Sequence, residues 1–233
     1  DRALEVIRNR VDSLGVAEPS IFPGADNRII IQLPGINEKK QKEAEKLLLS
    51  VAFLEFRMVH PQSEELVSKL FAQGSTPKGY LLDRAANREC YRKDPAVKDE
   101  ERMEGLQELK RFNAPVGTEF MLEQRRDKTT GAPFYVPHFV EKRRQLSGEY
   151  LTSASIDYDS MTMRPYIRFR FNAKGAKIFE TVTRAYAPGG TSNPNPQESR
   201  QLGIVLDDVL RSAPVIKTVI SGGDGIIEGD FSQ

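Results

Sequence analysis

Hydrophobic positions along the chain switch between a helical and a strand period. Leu4, Ile7, Val11 and Leu14 recur on one helical face, Arg2, Glu5, Arg8, Arg10 and Asp12 lie elsewhere, and Gly15 follows as a stop, so the chain opens with an amphipathic helix. Glu18–Phe22 and Arg28–Leu33 flank Pro23-Gly24-Ala25-Asp26-Asn27, a strand–turn–strand signal. Three isoleucines in succession, Ile29 to Ile31, predict a strand buried on both faces. Asn37 caps a second predicted helix that carries Ala44, Leu47, Leu48 and Val51. Phe53–Val59 then sets Phe53, Leu54, Phe56 and Met58 against Glu55 and Arg57, the pattern of a strand with one wet face.

From about Pro61 to Gln145 the character changes. Val67, Leu70 and Phe71 mark a short helix, Pro77-Lys78-Gly79 turns into Tyr80-Leu81-Leu82, and Arg84–Glu104 is dominated by charge. Val97–Phe112 predicts a helix with Met103, Leu106, Leu109 and Phe112 along one side. Glu119–Gln124 and Pro133–Val140 predict strands around Lys128-Thr129-Thr130-Gly131. These apolar residues suffice for a small separate core, so residues 61–145 are expected to form an inserted α+β head carried on two narrow linkers.

The scaffold pattern resumes after Leu146-Ser147-Gly148. Ala154–Tyr158 and Tyr166–Phe171 read as strands, and Asn172 caps a helix to Tyr186 whose inner stripe is Ala176, Phe179, Val182 and Thr183. Pro188–Arg200 is polar and rich in Pro, Gly and Asn, which predicts a mobile loop. Ile204–Leu206, Val209–Leu210, Pro214–Ile220 and Ile226–Phe231 then predict short antiparallel strands, punctuated by Asp207-Asp208, Arg211-Ser212 and Gly222-Gly223-Asp224-Gly225.

The 233 residues, 39% hydrophobic, have room for one large domain or two modest ones with a buried core. Net charge is +1, and residues 61–144 carry 16 Lys+Arg against 14 Asp+Glu, or +2, with the signs interspersed. No single-sign field argues for nucleic acid or an anionic membrane surface. No apolar run approaches the roughly 20 residues of a membrane helix. The start in a helix at Asp1 and the stop just after a strand suggest a soluble domain excised from a longer protein.

Candidate chemistry is sparse. His60 and His138 are the only histidines and lack the Cys/His/Asp company of a metal site. Cys90 stands alone, which excludes an internal disulfide. Asp207-Asp208 reads as a hairpin turn, because adjacent strand carboxylates point to opposite faces and cannot share acid–base work. Ser212 and Ser221 lack a nucleophile-elbow context. Gly222–Gly225 lacks the GK[ST] ending and following helix of a phosphate loop. The pairs Arg125-Arg126 and Arg143-Arg144 lack interleaved aromatics for stacking nucleic acid. The reading is a non-enzyme that needs no cofactor.

Motifs at both ends, in order, resemble one family. RALEVIRNRVDSLGVAEPSI, RIIIQLPGI, FLEFRMV, LSGEYLTSASIDYD, FRFNAKGAKIFETVTRAY, LGIVLDDVLRSAPVI and GIIEGDF resemble the first large extracytoplasmic domain of SecD proteins, membrane-anchored subunits of the bacterial Sec export machinery. The 188–200 loop is longer than that family's usual connection. The resemblance implies a ferredoxin-like base built from residues 1–60 and 146–233, with the head, 61–145, inserted between them. It implies a place on the periplasmic face of the inner membrane, with SecF and the SecYEG channel as partners of the parent protein and an unfolded preprotein as substrate. Energy would come from the proton gradient through membrane segments that are not in this chain. On this reading Tyr80, Leu82, Phe120, Phe134, Tyr135 and Phe139 of the head are expected to touch the exported polypeptide, the alternative for each being that it builds the head core. His60, Pro61, Gln145 and Leu146 are expected to form the hinge. A docking module for other Sec subunits, without substrate contact, is the alternative.

Overall fold

The computed structural model describes residues 54–85, 88–98, 106–127, 130–163 and 165–228, together with 19–24, 28–37 and isolated positions at 7, 11, 41, 42, 44, 45, 48 and 102. Of the two predicted N-terminal helices, Ile7 and Val11, and Gln41, Lys42, Ala44, Glu45 and Leu48, are helical. Their remaining positions lie outside the described residues, as do Phe53, Met103 and the end of the last predicted strand.

The arrangement is α+β and dominated by sheet. The elements are β1 (Ser20–Pro23), β2 (Ile29–Gln32), β3 (Leu54–Val59), α1 (Ser63–Ala72), β4 (Tyr80–Ala85), β5 (Arg88–Lys93), α2 (Leu106–Arg111), β6 (Thr118–Arg126), β7 (Pro133–Ser147), β8 (Leu151–Tyr158), β9 (Pro165–Phe171), α3 (Ala173–Tyr186), β10 (Leu202–Leu206), β11 (Val209–Ser212) and β12 (Asp224–Glu228). One seven-stranded sheet runs β11-β10-β3-β7-β5-β4 with β6 also on β7; β12-β9-β8 form a second sheet, and β1-β2 a hairpin of their own.

The two segments expected to form the base meet where β3 pairs antiparallel with β10, Phe56 opposite Ile204. Phe56 and Met58 point from β3 into the base core, among Phe169 and Phe171 of β9, Phe179 and Val182 of α3, and Ile227 of β12. Four of these rings contact one another edge-on or tilted, with centroids 5.2–6.2 Å apart. That geometry contributes about 0.5–1.5 kcal/mol per pair beyond area burial. Helix α3 starts where expected: the Asn172 side chain accepts from Gly175 N at 2.9 Å.

The other face of β3 is not wet. Glu55 and Arg57 are buried because the sheet curls and brings β6, with Glu119 on Arg57, over that face, and Val59 joins Met121, Val140, Val205, Leu210 and Ala213 in a second cluster. Strand β11 lies alongside β6, so β6, β7, β3, β10 and β11 curl toward a closed barrel around that cluster. Alternation predicts which residues share a face, but not whether a second layer covers it.

Several other expectations give way. Ile30 is exposed: among the described strands β1 and β2 pair only with each other, so no second layer of strands buries both of their faces. Residues 97–105 are not helical where described, and α2 begins only at Leu106. The charged run contains a strand, β5, whose Cys90 and Tyr91 are fully buried. Pro214–Ile220 is no strand and makes a single bridge, Val215 to Gln201. The 188–200 loop is tied down: Asn193 is buried, its amide donates to Tyr186 O and Glu198 O, and Ser192 N donates to Ala185 O. Asp207 and Asp208, at φ 47° and 65°, form the tight hairpin turn between β10 and β11.

Candidate functional site

The head core gathers Val67 and Leu70 of α1, Tyr91 of β5, Phe120 and Leu122 of β6 and Phe139 of β7. Phe120 and Phe139, with ring centroids 5.5 Å apart, are shielded from solvent almost completely. Phe134 is buried on the opposite face of the sheet with Ala85, Cys90 and Val136. These three rings build the head, and direct contact with a passing polypeptide is closed to them. Tyr80 and Tyr135 are partly buried at the rim of the core, edge to face at 5.7 Å. Leu82 is the one expected contact that is truly exposed, and its neighbour Leu81, which sequence reasoning passed over, is exposed too, 47% against 39%.

Both leucines lie on β4, the last strand of the large sheet. Asp94 N donates to Gly79 O at 2.9 Å, and bonded pairs alternate from there along the β4–β5 register. The backbone groups of Leu81 and Asp83 therefore face β5, and those of Leu82 and Arg84 face the open edge. Burial pushes the Cys90 thiol above its ordinary pKa, helped by Asp83. Burial, with a lesser push from Glu89, does the same for the Tyr91 phenol, whose hydroxyl donates to Ser75 O at 2.9 Å. Both side chains are closed off from solvent.

The junction of head and base is a packed, ionic seam. His60 and Pro61 do leave β3 in a turn, where His60 Nδ1 accepts from Gln62 N at 3.3 Å. Gln145 and Leu146 are no linker: β7 runs unbroken from the head to Ser147, and Leu146 is buried in the base core opposite Phe56. The pairing of β7 with β3 slips twice, between Phe56 and Arg57 and again before Val59. Gln145 falls at the first slip and Glu141–Arg143 at the second, and such bulges bend and twist a strand. The continuity of β7 was hidden because Lys142-Arg143-Arg144 breaks the apolar alternation.

Ion pairs cross this seam. Arg57 Nη1 donates to Glu119 Oε2 at 2.7 Å, Arg57 also pairs with Glu55, and Glu55 pairs with Arg144. Lys110 Nζ, buried at the end of α2, donates to Asp208 Oδ1 at 2.6 Å. Arg200 Nη2 donates to Val59 O at 3.2 Å. Higher on β6 and β7, Glu123 accepts from His138 Nε2 at 3.0 Å and from Arg125 Nη2 at 2.9 Å. Burial alone would raise the Glu123 carboxyl, but its hydrogen bonds and charge contacts with His138 and Arg125 outweigh that and hold it below its usual value. His60 and His138 thus have separate structural surroundings, and no group of three or more potential metal ligands occurs among the described residues.

Two family models match the chain: the N-terminal P1 domain of protein translocase subunit SecDF over residues 1–61, and the SecDF P1 head subdomain over residues 120–233. The protein translocase subunit SecD of Syntrophobacter fumaroxidans is 32% identical over 232 residues, covering all of this chain and 33% of that protein. SecD of Calditerrivibrio nitroreducens is 31% identical over 233 residues, with 35% of that protein covered. This chain belongs to the SecD family. It spans about a third of these relatives' length, and no described helix is long and apolar enough to cross a membrane. Among solved structures, SecDF of Thermus thermophilus, a translocon-associated membrane protein, is 27% identical over all of this chain and 24% of its own, at a TM-score of 0.41. A SecDF structure described as a membrane component that enhances protein export gives 27% and 0.37, covering 98% of this chain and 78% of that one. The SecD P1 assignment rests on the sequence matches, since overlays at these scores decide nothing. The head-subdomain match runs from β6 through β12 and so does not coincide with residues 61–145.

Proposed function

We propose that this domain serves protein export from the periplasmic face of the inner membrane, as part of a SecD-type translocase subunit that transiently holds an emerging unfolded polypeptide. The observation that carries the reading is the open edge of β4, where Leu81 and Leu82 are exposed beside outward-facing backbone groups. An unfolded chain offers backbone donors and acceptors with scattered apolar side chains, and an exposed strand edge recognises both without selecting sequence. SecF and the SecYEG channel are its partners through the parent protein, whose membrane segments draw on the proton gradient. Because β7 is common to head and base, a swing of the head alone would have to open the Met121–Leu210 cluster and the Lys110–Asp208 pair. Movement on this reading belongs to the domain as a whole.

The test is an NMR titration of the chain with a permanently unfolded secretory polypeptide, repeated on a Leu81→Ser, Leu82→Ser variant. Deleting residues 61–145 would remove most of β7 and with it the base, so the edge substitution is the cleaner control. Saturable shifts along β4 that vanish in the variant support the reading; shifts absent there, or unchanged by the variant, refute it. The second reading, docking to other subunits, draws on the β8–β9 turn, where Met161 and Met163 are exposed. It predicts that partner contacts map to the base alone.

A further inference from the structure

In the second sheet, β12-β9-β8, no strand pairs with the outer side of β8 among the described residues, and Thr152 to Ile156 are exposed. Phe171 N donates to Gly223 O at 2.9 Å, which turns the backbone groups of Phe171 and Phe169 toward β12 and those of Arg170 and Arg168 toward β8. Their partners on β8 are Ser153 and Ser155. The N–H and C=O of Ala154 and Ile156 are left facing away from the sheet. The side chains of Ala154, Ile156 and Tyr158 share the face of Ile167, directly across from Ile156, and of the buried Ile227 beyond it. Ile156 is nevertheless 61% exposed and Tyr158 47%, so this hairpin carries an apolar stripe past the end of the core.

Natural sheets blunt their edges with short strands, lysine, proline or a covering element. Two of the other edges here are treated that way: β11 has four residues and lies against β6, and β12 has five. Strand β8 has eight residues, LTSASIDY, with no lysine, arginine or proline. Its single irregularity falls at the Leu151 end. The flanking charges are already used, Arg168 on Asp157 at 3.1 Å and Arg170 on Asp224 at 2.6 Å, so the edge selects no sign of charge.

We infer that β8 is a second polypeptide-binding edge, which takes an extended segment by antiparallel or parallel strand addition and prefers apolar side chains at every second position. The occupant is a linear segment and not a folded copy: eight strand residues span only about 26 Å, a ribbon far short of the roughly 800 Å² per partner that stable folded interfaces bury. The inference deepens the export reading by giving the held chain a station in the base besides the one on β4.

The experiment uses the whole chain and an eight-residue capped peptide alternating Val and Thr, compared with the same peptide N-methylated at four consecutive central residues, which removes donors from both of its edges. Expected are saturable shifts at the amides of Ala154 and Ile156, loss of binding for the N-methylated peptide, and weakening of about fivefold or more in Ala154→Pro, which deletes one outward donor without touching the β8–β9 ladder. Ile156→Lys gives the same loss by placing a charge on the stripe. Binding at β8 should persist in the Leu81→Ser, Leu82→Ser variant. Equal binding of the N-methylated peptide, shifts confined to β4, or self-association through β8 that the peptide does not compete away would each overturn the inference; shifts confined to β4 would do so while leaving the export reading intact.

Discussion

Lys110 and Asp208, 98 positions apart in the chain, meet at 2.6 Å where the end of the head helix α2 reaches the tight turn of the β10–β11 hairpin. Lys110 is buried and Asp208 mostly so. The turn that presents the carboxylate needs left-handed backbone, φ 65° at Asp208, a conformation that Asp and Asn tolerate better than other non-glycine residues. One short side chain therefore makes the turn and anchors the head.

Asp208→Asn keeps the turn and strands the Lys110 ammonium in a buried site, at a cost of about 3 kcal/mol. Lys110→Met in the wild-type background costs less, because Asp208 retains some access to water. The double variant should regain most of the loss. Urea unfolding of the four proteins gives the cycle, and additive losses in the double variant would show that the pair is not coupled.

Glu123 binds the fold to pH from the acid side. Its folded pKa is depressed, so its contribution is fully present above the ordinary carboxyl value of about 4.3 and is lost as pH falls through the lower folded value. Thermal unfolding between pH 7 and pH 2 should show a steeper acid limb for wild type than for Glu123→Gln. Identical limbs would mean that Arg125 and His138 do not hold the carboxylate.

Much of the scaffold could be read from the sequence. The periods of β9, α3 and β10, the Asn172 cap and the Asp207-Asp208 turn are local, and local patterns fix them. What could not be read is what covers a face. Glu55 and Arg57 alternate with apolar residues as a wet face would, yet the curled sheet brings β6 over them. Aromatic residues suit a polypeptide contact and a packed core alike, and Phe120 and Phe139 lie in the core. Leu81 sits beside a predicted contact and was missed, since only the strand order reveals that β4 is an edge.

Cys90 and Tyr91 give an alkaline counterpart to Glu123. Both folded pKa values are raised, chiefly by burial. Their contribution is intact below the ordinary values, about 8.5 for the thiol and about 10 for the phenol, and is lost as pH rises toward the folded ones. The melting temperature should drop from about pH 9 upward. Tyr91→Phe should flatten that decline while costing about 1 kcal/mol at neutral pH for the lost bond to Ser75 O. An unchanged alkaline slope in the variant would place the sensitivity elsewhere.

Gly225 tests the packing of the second sheet, on which both the base core and the open β8 edge depend. A Cβ there would stand 2.6 and 2.7 Å from the two Cε atoms of Phe169. That ring cannot step aside, because it is wedged among Phe56, Phe171 and Phe179. Gly225→Ala should therefore cost about 3 kcal/mol by overpacking. Phe169→Leu alone should cost about 1–2 kcal/mol for lost contacts, yet in the Gly225→Ala background the smaller side chain relieves the clash. The two changes together should be less destabilising than their sum. Chemical denaturation of the four proteins decides it: strict additivity would show that β12 retreats from β9 instead of pressing on the ring, and the sheet edges would then shift with it.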